Sequence, residues 1–236
     1  MTGHTLRLLV SVRSVDEALL AAAGGADFID LKEPSAGALG GLPVDTICAI
    51  VAALREQGRG LPVSATIGDV GMADVPAILA RVAEVGGCGV DYVKVGITRE
   101  PGAAAVLAAL ARTPYAVVPV FIADRGLDAE LIGRACALQF PGLMADTADK
   151  LAGSLFDAVR LPDLHQFVTQ VRSAGALVGL AGALRRHDLP ALKALAPDFA
   201  GFRTAVCAGD RRAALDPDRL RDLVARARTL AAGVEA

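Results

Sequence analysis

Lys32, Lys94, Lys150 and Lys193 are the only lysines among 24 basic residues, the others being arginine. Arginine stays protonated and is a poor nucleophile, so a chain that favours it keeps lysine chiefly where a titratable amine is needed. Two of these lysines sit in apolar runs with strand character. Side chains on a strand alternate between faces, so residues two apart share one. In Asp27-Phe28-Ile29-Asp30-Leu31-Lys32, Ile29 and Leu31 take one face, and Asp30 and Lys32 take the other. In Asp91-Tyr92-Val93-Lys94-Val95-Gly96, Lys94 opposes Val93 and Val95. Asp146 follows the same rule in Leu143-Met144-Ala145-Asp146-Thr147, as do Ser64 and Thr66 in the third apolar run, with Asp124 just past the fifth. Burying such charges costs several kcal/mol each unless they pair. A structural ion-pair network is one explanation. The other is catalytic: two nearby ammonium groups and desolvation lower a lysine pKa towards neutrality, and a neutral amine can attack a carbonyl to form a Schiff base.

Further candidates lie in the loops. Lys150, in Asp146-Thr147-Ala148-Asp149-Lys150, is positioned either to meet substrate or to face solvent, whereas Lys193 falls on a surface helix. The last two loops, Leu180-Ala181-Gly182-Ala183-Leu184 and Arg203-Thr204 through Cys207-Ala208-Gly209-Asp210-Arg211-Arg212, are rich in small residues. Small residues let backbone N–H groups approach a phosphate, so Gly182, Ala183 and Gly209 are expected to line a phosphate site, with Arg203 adding charge-assisted bonds. Gly37-Ala38-Leu39-Gly40-Gly41 lacks the lysine of a P-loop. His4, His165 and His187 lack metal-ligand spacing, and no Gly-x-Ser-x-Gly elbow occurs. Neither a metal nor another cofactor is expected.

These residues need elements to hold them. Short β-rich runs near 6–12, 27–32, 62–68, 91–96, 116–122, 142–147, 176–181 and 198–203 alternate with helical segments near 14–24, 44–57, 73–86, 101–112, 126–138, 163–174, 185–195 and 216–232. Eight such units predict an α/β fold, a single (β/α)8 TIM barrel over residues 1–236, with the polar cluster at the carboxyl end of its strands. An open doubly wound sheet is the alternative, disfavoured because no GxGxxG loop follows the first strand.

Composition narrows the partners. A net charge of −2 without a basic run, together with 4% aromatic residues and no Trp, argues against nucleic acid. No apolar run is long enough to span a bilayer, and no signal core follows the amino terminus. Cys48, Cys88, Cys136 and Cys207 lack CxxC spacing, which argues against a redox pair and fits a reducing cytoplasm. The expectation is a cytoplasmic enzyme acting on a small phosphorylated molecule. Its alanine-rich helices leave room for a homo-oligomer.

Several stretches together resemble the (5-formylfuran-3-yl)methyl phosphate synthase family of methanofuran and methylofuran biosynthesis. They are Leu8-Leu9-Val10-Ser11-Val12, Asp30-Leu31-Lys32-Glu33-Pro34, Ser64-Ala65-Thr66-Ile67-Gly68-Asp69, Tyr92-Val93-Lys94-Val95-Gly96, Asp146-Thr147-Ala148 before Lys150, Leu180-Ala181-Gly182, and Arg203 ahead of Cys207. The resemblance implies condensation of two glyceraldehyde 3-phosphates into 4-(hydroxymethyl)-2-furancarboxaldehyde phosphate, with loss of phosphate and water. It assigns the Schiff base to Lys32 and proton acceptance to Lys94, with Asp146 and Lys150 assisting. Ala183 replaces a serine common in the family, and Thr204 replaces a glycine. A class I aldolase acting on a sugar phosphate, or a non-catalytic barrel that binds a phosphorylated ligand, are the competing expectations.

Overall fold

A computed structural model describes residues 5–58, 60–149 and 152–231; Lys150 and His4 lie outside them. Eight parallel strands close into a barrel in sequence order: β1 (Arg7–Val12), β2 (Phe28–Leu31), β3 (Val63–Thr66), β4 (Tyr92–Ile97), β5 (Val117–Ile122), β6 (Gly142–Asp146), β7 (Leu177–Leu180) and β8 (Phe199–Phe202), with β8 pairing back onto β1. The helices α1 (Val15–Ala23), α2 (Val44–Glu56), α3 (Val75–Gly87), α4 (Ala103–Leu110), α5 (Ala129–Ala137), α6 (Leu155–Ala158), α7 (Leu161–Ser173), α8 (Leu189–Leu195) and α9 (Pro217–Ala231) follow the strands. Local chemistry starts several of them. The Ser14 hydroxyl accepts the Glu17 N–H at the head of α1, and the carboxylates of Asp74 and Asp128 do the same for α3 and α5.

Strand parity sorts the two apolar layers. Leu8, Val10, Ile29, Leu31, Val93 and Val95 face outward into the large core shared with the helices. Leu9, Phe28, Val118, Val120, Met144, Ala181 and Phe199 fill the barrel interior. Phe28 and Phe199 meet there with ring centroids 5.3 Å apart. Above this apolar plug the inward positions turn polar, so the interior is sealed at one end and reactive at the other.

Two findings depart from expectation. The loop after β6 contains α6, whose Ser154 and Asp157 form a capping box. Its four residues are too few for a helical period to register in the sequence. The cysteine reading is corrected: Cys48 on α2 and Cys88 at the end of α3 form a disulfide across a sequence separation of 40, while Cys136 and Cys207 are free. A search for close CxxC spacing misses a pair that adjacent helices bring together.

Candidate active site

The carboxyl end of the barrel opens into a cavity continuous with solvent, whose wall includes Ser11, Asp30, Lys32, Lys94, Asp146 and Arg211. Register explains the grouping. Ser11 of β1 pairs with Asp30 of β2, Asp30 with Ser64 of β3, and Thr66 of β3 with Lys94 of β4. Ser11, Asp30 and Ser64 therefore form one row across three strands. The Asp30 carboxylate accepts hydrogen bonds from Ser11 Oγ at 3.0 Å, Ser64 Oγ at 2.7 Å and Lys94 Nζ at 2.8 Å. Across the cavity Lys32 Nζ lies 3.3 Å from Asp146 Oδ2, and the Thr147 N–H donates to Asp146 Oδ1 at 2.8 Å.

All four charged side chains are below 10% exposed, so two amines and two carboxylates share a desolvated site as two ion pairs. Pairing is what makes their burial tolerable. Burial by itself would raise the Asp30 carboxyl. The charges of Lys94 and Lys32, with the bonds from Lys94 and Ser64, outweigh it and hold the group below its ordinary value. Two amines beside two carboxylates can form an iminium and move protons to and from fixed acceptors.

A different surface is built by the loop after β7. Gly182 has φ +116° and Ala183 φ +45°, and both line the cavity. A Cβ on Gly182 would lie 2.9 Å from Thr147 Oγ1. Among the described residues, the backbone N–H groups of Gly182, Ala183 and Leu184 donate to no protein acceptor. Successive free N–H groups in such a turn make a concave anion seat. Arg211 supplies positive charge on the same wall. Burial draws its guanidinium below its usual value, which Asp146 opposes and the neighbouring Arg203 and Arg212 reinforce.

The structure redistributes several expected roles. Asp30, Lys32, Lys94, Asp146, Gly182 and Ala183 meet in the cavity. Ser64 lies beneath it, braced on Asp30, and Thr66 is occupied by the Gly40 carbonyl at 3.0 Å. Asp124 does not line the cavity; its carboxylate accepts the N–H groups of Ala148 and Asp149 and so shapes the loop after β6. Gly209 is exposed and outside the cavity wall. Arg203 reaches the wall, but all five of its N–H donors are taken: Glu17 accepts two, and the carbonyls of Ser11, Arg211 and Ala213 one each. It is a brace, and Arg211 is the cation left facing the cavity. Sequence reasoning passed over Ser11, Glu17 and Arg211. Ser11 had a legible signal in its inward parity on β1, whereas Arg211 sits in a loop without periodicity. Among the described residues no group of three or more His, Cys, Asp or Glu side chains is arranged to hold a metal ion.

Comparison with known proteins agrees with this architecture. The sequence model of the 4-HFC-P synthase family matches residues 8–224. (5-Formylfuran-3-yl)methyl phosphate synthase of Methanosarcina acetivorans is 33% identical, over 93% of this chain and 98% of its own. The enzyme of the same name from Archaeoglobus fulgidus is 35% identical, over 87% of this chain and 92% of its own. A Methylorubrum extorquens protein, provisionally given that name, is 42% identical over 92% of this chain and 90% of its own. Among solved structures, phosphoribosyl anthranilate isomerase of Thermus thermophilus superposes with a TM-score of 0.65 at 20% identity, covering 95% of this chain and all of the other. That likeness bears on the fold alone. A matched family model spanning the whole barrel, and relatives that run nearly end to end with it, make the chain a member of the 4-HFC-P synthase family of enzymes.

Proposed function

We propose that the enzyme condenses two glyceraldehyde 3-phosphates through a Schiff base on Lys32, yielding 4-(hydroxymethyl)-2-furancarboxaldehyde phosphate with loss of inorganic phosphate and water. The observation that carries this reading is the pairing of Lys32 with Asp146 and of Lys94 with Asp30 in one cavity. Lys32 Nζ passes a proton to Asp146 and attacks the aldehyde carbon of the first triose. Departure of the carbonyl oxygen as water leaves an iminium. That cation acidifies the adjacent C–H, and the free-amine form of Lys94, held in position by Asp30, accepts the released proton. The enamine then adds to the second aldehyde to make the carbon–carbon bond. A hydroxyl of the second triose then closes the ring on the iminium carbon and expels the Lys32 amine. Elimination of phosphate and water completes the furan, with Asp146 near enough to return protons to departing oxygens. One phosphate rests on the N–H groups of Gly182, Ala183 and Leu184 beside Arg211.

Borohydride added during turnover of glyceraldehyde 3-phosphate should fix substrate to Lys32, seen as a mass increase on its peptide. An unmodified Lys32 in enzyme that forms a furan chromophore would remove the Schiff base. An acyclic sugar phosphate as product would restore the aldolase reading. No helix among the described residues is long and apolar enough to cross a membrane. We place the reaction in the cytoplasm, where triose phosphates are made, and in furan-cofactor biosynthesis. A homo-oligomer is the assembly we infer from the exposed alanines of α4; a monomer mass in light scattering would exclude it.

A further inference from the structure

The loop that carries Arg211 has little packing of its own. Its stem closes where Cys207 bridges Leu215 and the Ala208 N–H meets the Ala214 carbonyl at 3.0 Å. Its tip is Asp210-Arg211-Arg212, with no apolar side chain to seat it. Asp210 closes the turn on the N–H groups of Arg212 and Ala213, and Arg211 Nη2 reaches the Gly37 carbonyl at 3.4 Å. The tip is tied to the barrel by Arg203: Nε donates to the Arg211 carbonyl at 2.9 Å and Nη2 to the Ala213 carbonyl at 2.8 Å. Arg203 in turn is held by Glu17 of α1, with Nη1 at 2.6 Å from Oε2 and Nη2 at 3.1 Å from Oε1. Glu17 also accepts the N–H groups of Arg13 at 3.0 Å and Leu215 at 3.3 Å. Both side chains are at most 10% exposed. One bidentate pair thus connects α1, the end of β1 and three points of the loop after β8.

We propose that Glu17 is a positioning residue for substrate binding, acting through Arg203 to hold Arg211 over the cavity. The proposal rests on reading Arg211 as a phosphate anchor. A guanidinium deprived of its counter-charge is costly to keep buried. Loss of the Glu17 charge therefore releases Arg203 and the two carbonyls it holds, leaving the Arg211 guanidinium only its long bond to the Gly37 carbonyl. Asp30, Lys94 and Asp146 stand on β2, β4 and β6, and Lys32 directly follows β2. None of the four is bonded to Glu17 or Arg203, which reach them only through the Ser11 carbonyl. The expected signature is weaker substrate binding with the chemical step preserved.

The test uses the full chain with Glu17→Gln, Arg211→Ala and both together. Binding of inorganic phosphate is read by calorimetry, and KM and kcat by furan absorbance. Glu17→Gln should raise KM and the phosphate Kd on the order of tenfold, with kcat within about threefold. Arg211→Ala should do the same, and the double variant should be no worse than Arg211→Ala. Unchanged KM and Kd in Glu17→Gln, or multiplied effects in the double variant, would overturn the positioning role. Normal phosphate binding by Arg211→Ala would instead overturn the anchor reading on which it rests. Should Glu17→Gln not fold, Arg203→Lys replaces it. That change keeps a cation beside Glu17 but removes the fork that reaches both carbonyls, and the same split between KM and kcat decides the matter.

Discussion

Asp30 receives three hydrogen bonds on two oxygens, from Ser11, Ser64 and Lys94, so its orientation is set before substrate arrives. Two residue-scale predictions follow from that geometry. Asp30→Asn leaves a buried ammonium without its counter-charge, which should cost about 3–5 kcal/mol of stability in a urea titration and remove most activity. Lys94→Arg keeps the charge but cannot accept a proton at neutral pH. Furan formation should fall by about a hundredfold or more, while borohydride still traps Lys32. Near-normal turnover in that variant would transfer the base role elsewhere. Acidity should also be felt here. The folded Asp30 carboxyl titrates below its unfolded value of 3.8. Its stabilisation is therefore complete above that value and is lost as the pH falls through the lower, folded one.

At the scale of elements, the site depends on loops that strands and helix caps hold in place. Asp124 ties down the loop after β6, and the turn at Gly182 presents unpaired N–H groups. Gly182→Val combines a φ of +116° with a Cβ against Thr147 and Leu155. It should raise KM more than it lowers kcat in steady-state assays, because it disturbs the anion seat and leaves both amines in place. The small-residue character of this loop was legible in the sequence. The opposite roles of Arg203 and Arg211 were not, because both are arginines in the one loop after β8. Only the count of acceptors around each guanidinium separates the brace from the cation that faces the cavity.

For the whole molecule, barrel closure joins residues far apart in sequence, as when Arg203 after β8 meets Glu17 on α1. The folded Glu17 carboxyl is also depressed: Arg203 and the N–H groups of Arg13 and Leu215 outweigh the opposing effect of burial. Its contribution to stability is complete above its unfolded value of 4.5 and is lost as the pH drops through the folded one. Acid unfolding of Glu17→Gln should therefore be less steep than that of the parent in a pH titration of circular dichroism. The Cys48–Cys88 disulfide closes a loop with a sequence separation of 40, a constraint of about 3–4 kcal/mol in the chain-entropy account. Reduction, or Cys48→Ser, should lower Tm by several degrees. Equal melting with and without reductant would show that the bond contributes little.

The sequence by itself determined the barrel and the inward direction of Asp30, Lys32, Lys94 and Asp146. Alternation along a strand and alternation of strand with helix are local periodicities, written in the order of residue types. Only the tertiary structure decided which carboxylate faces which amine, that Arg203 is spent on Glu17, and that Cys48 meets Cys88. Those are distances between elements, set by strand register, barrel closure and helix packing, and no local pattern encodes them.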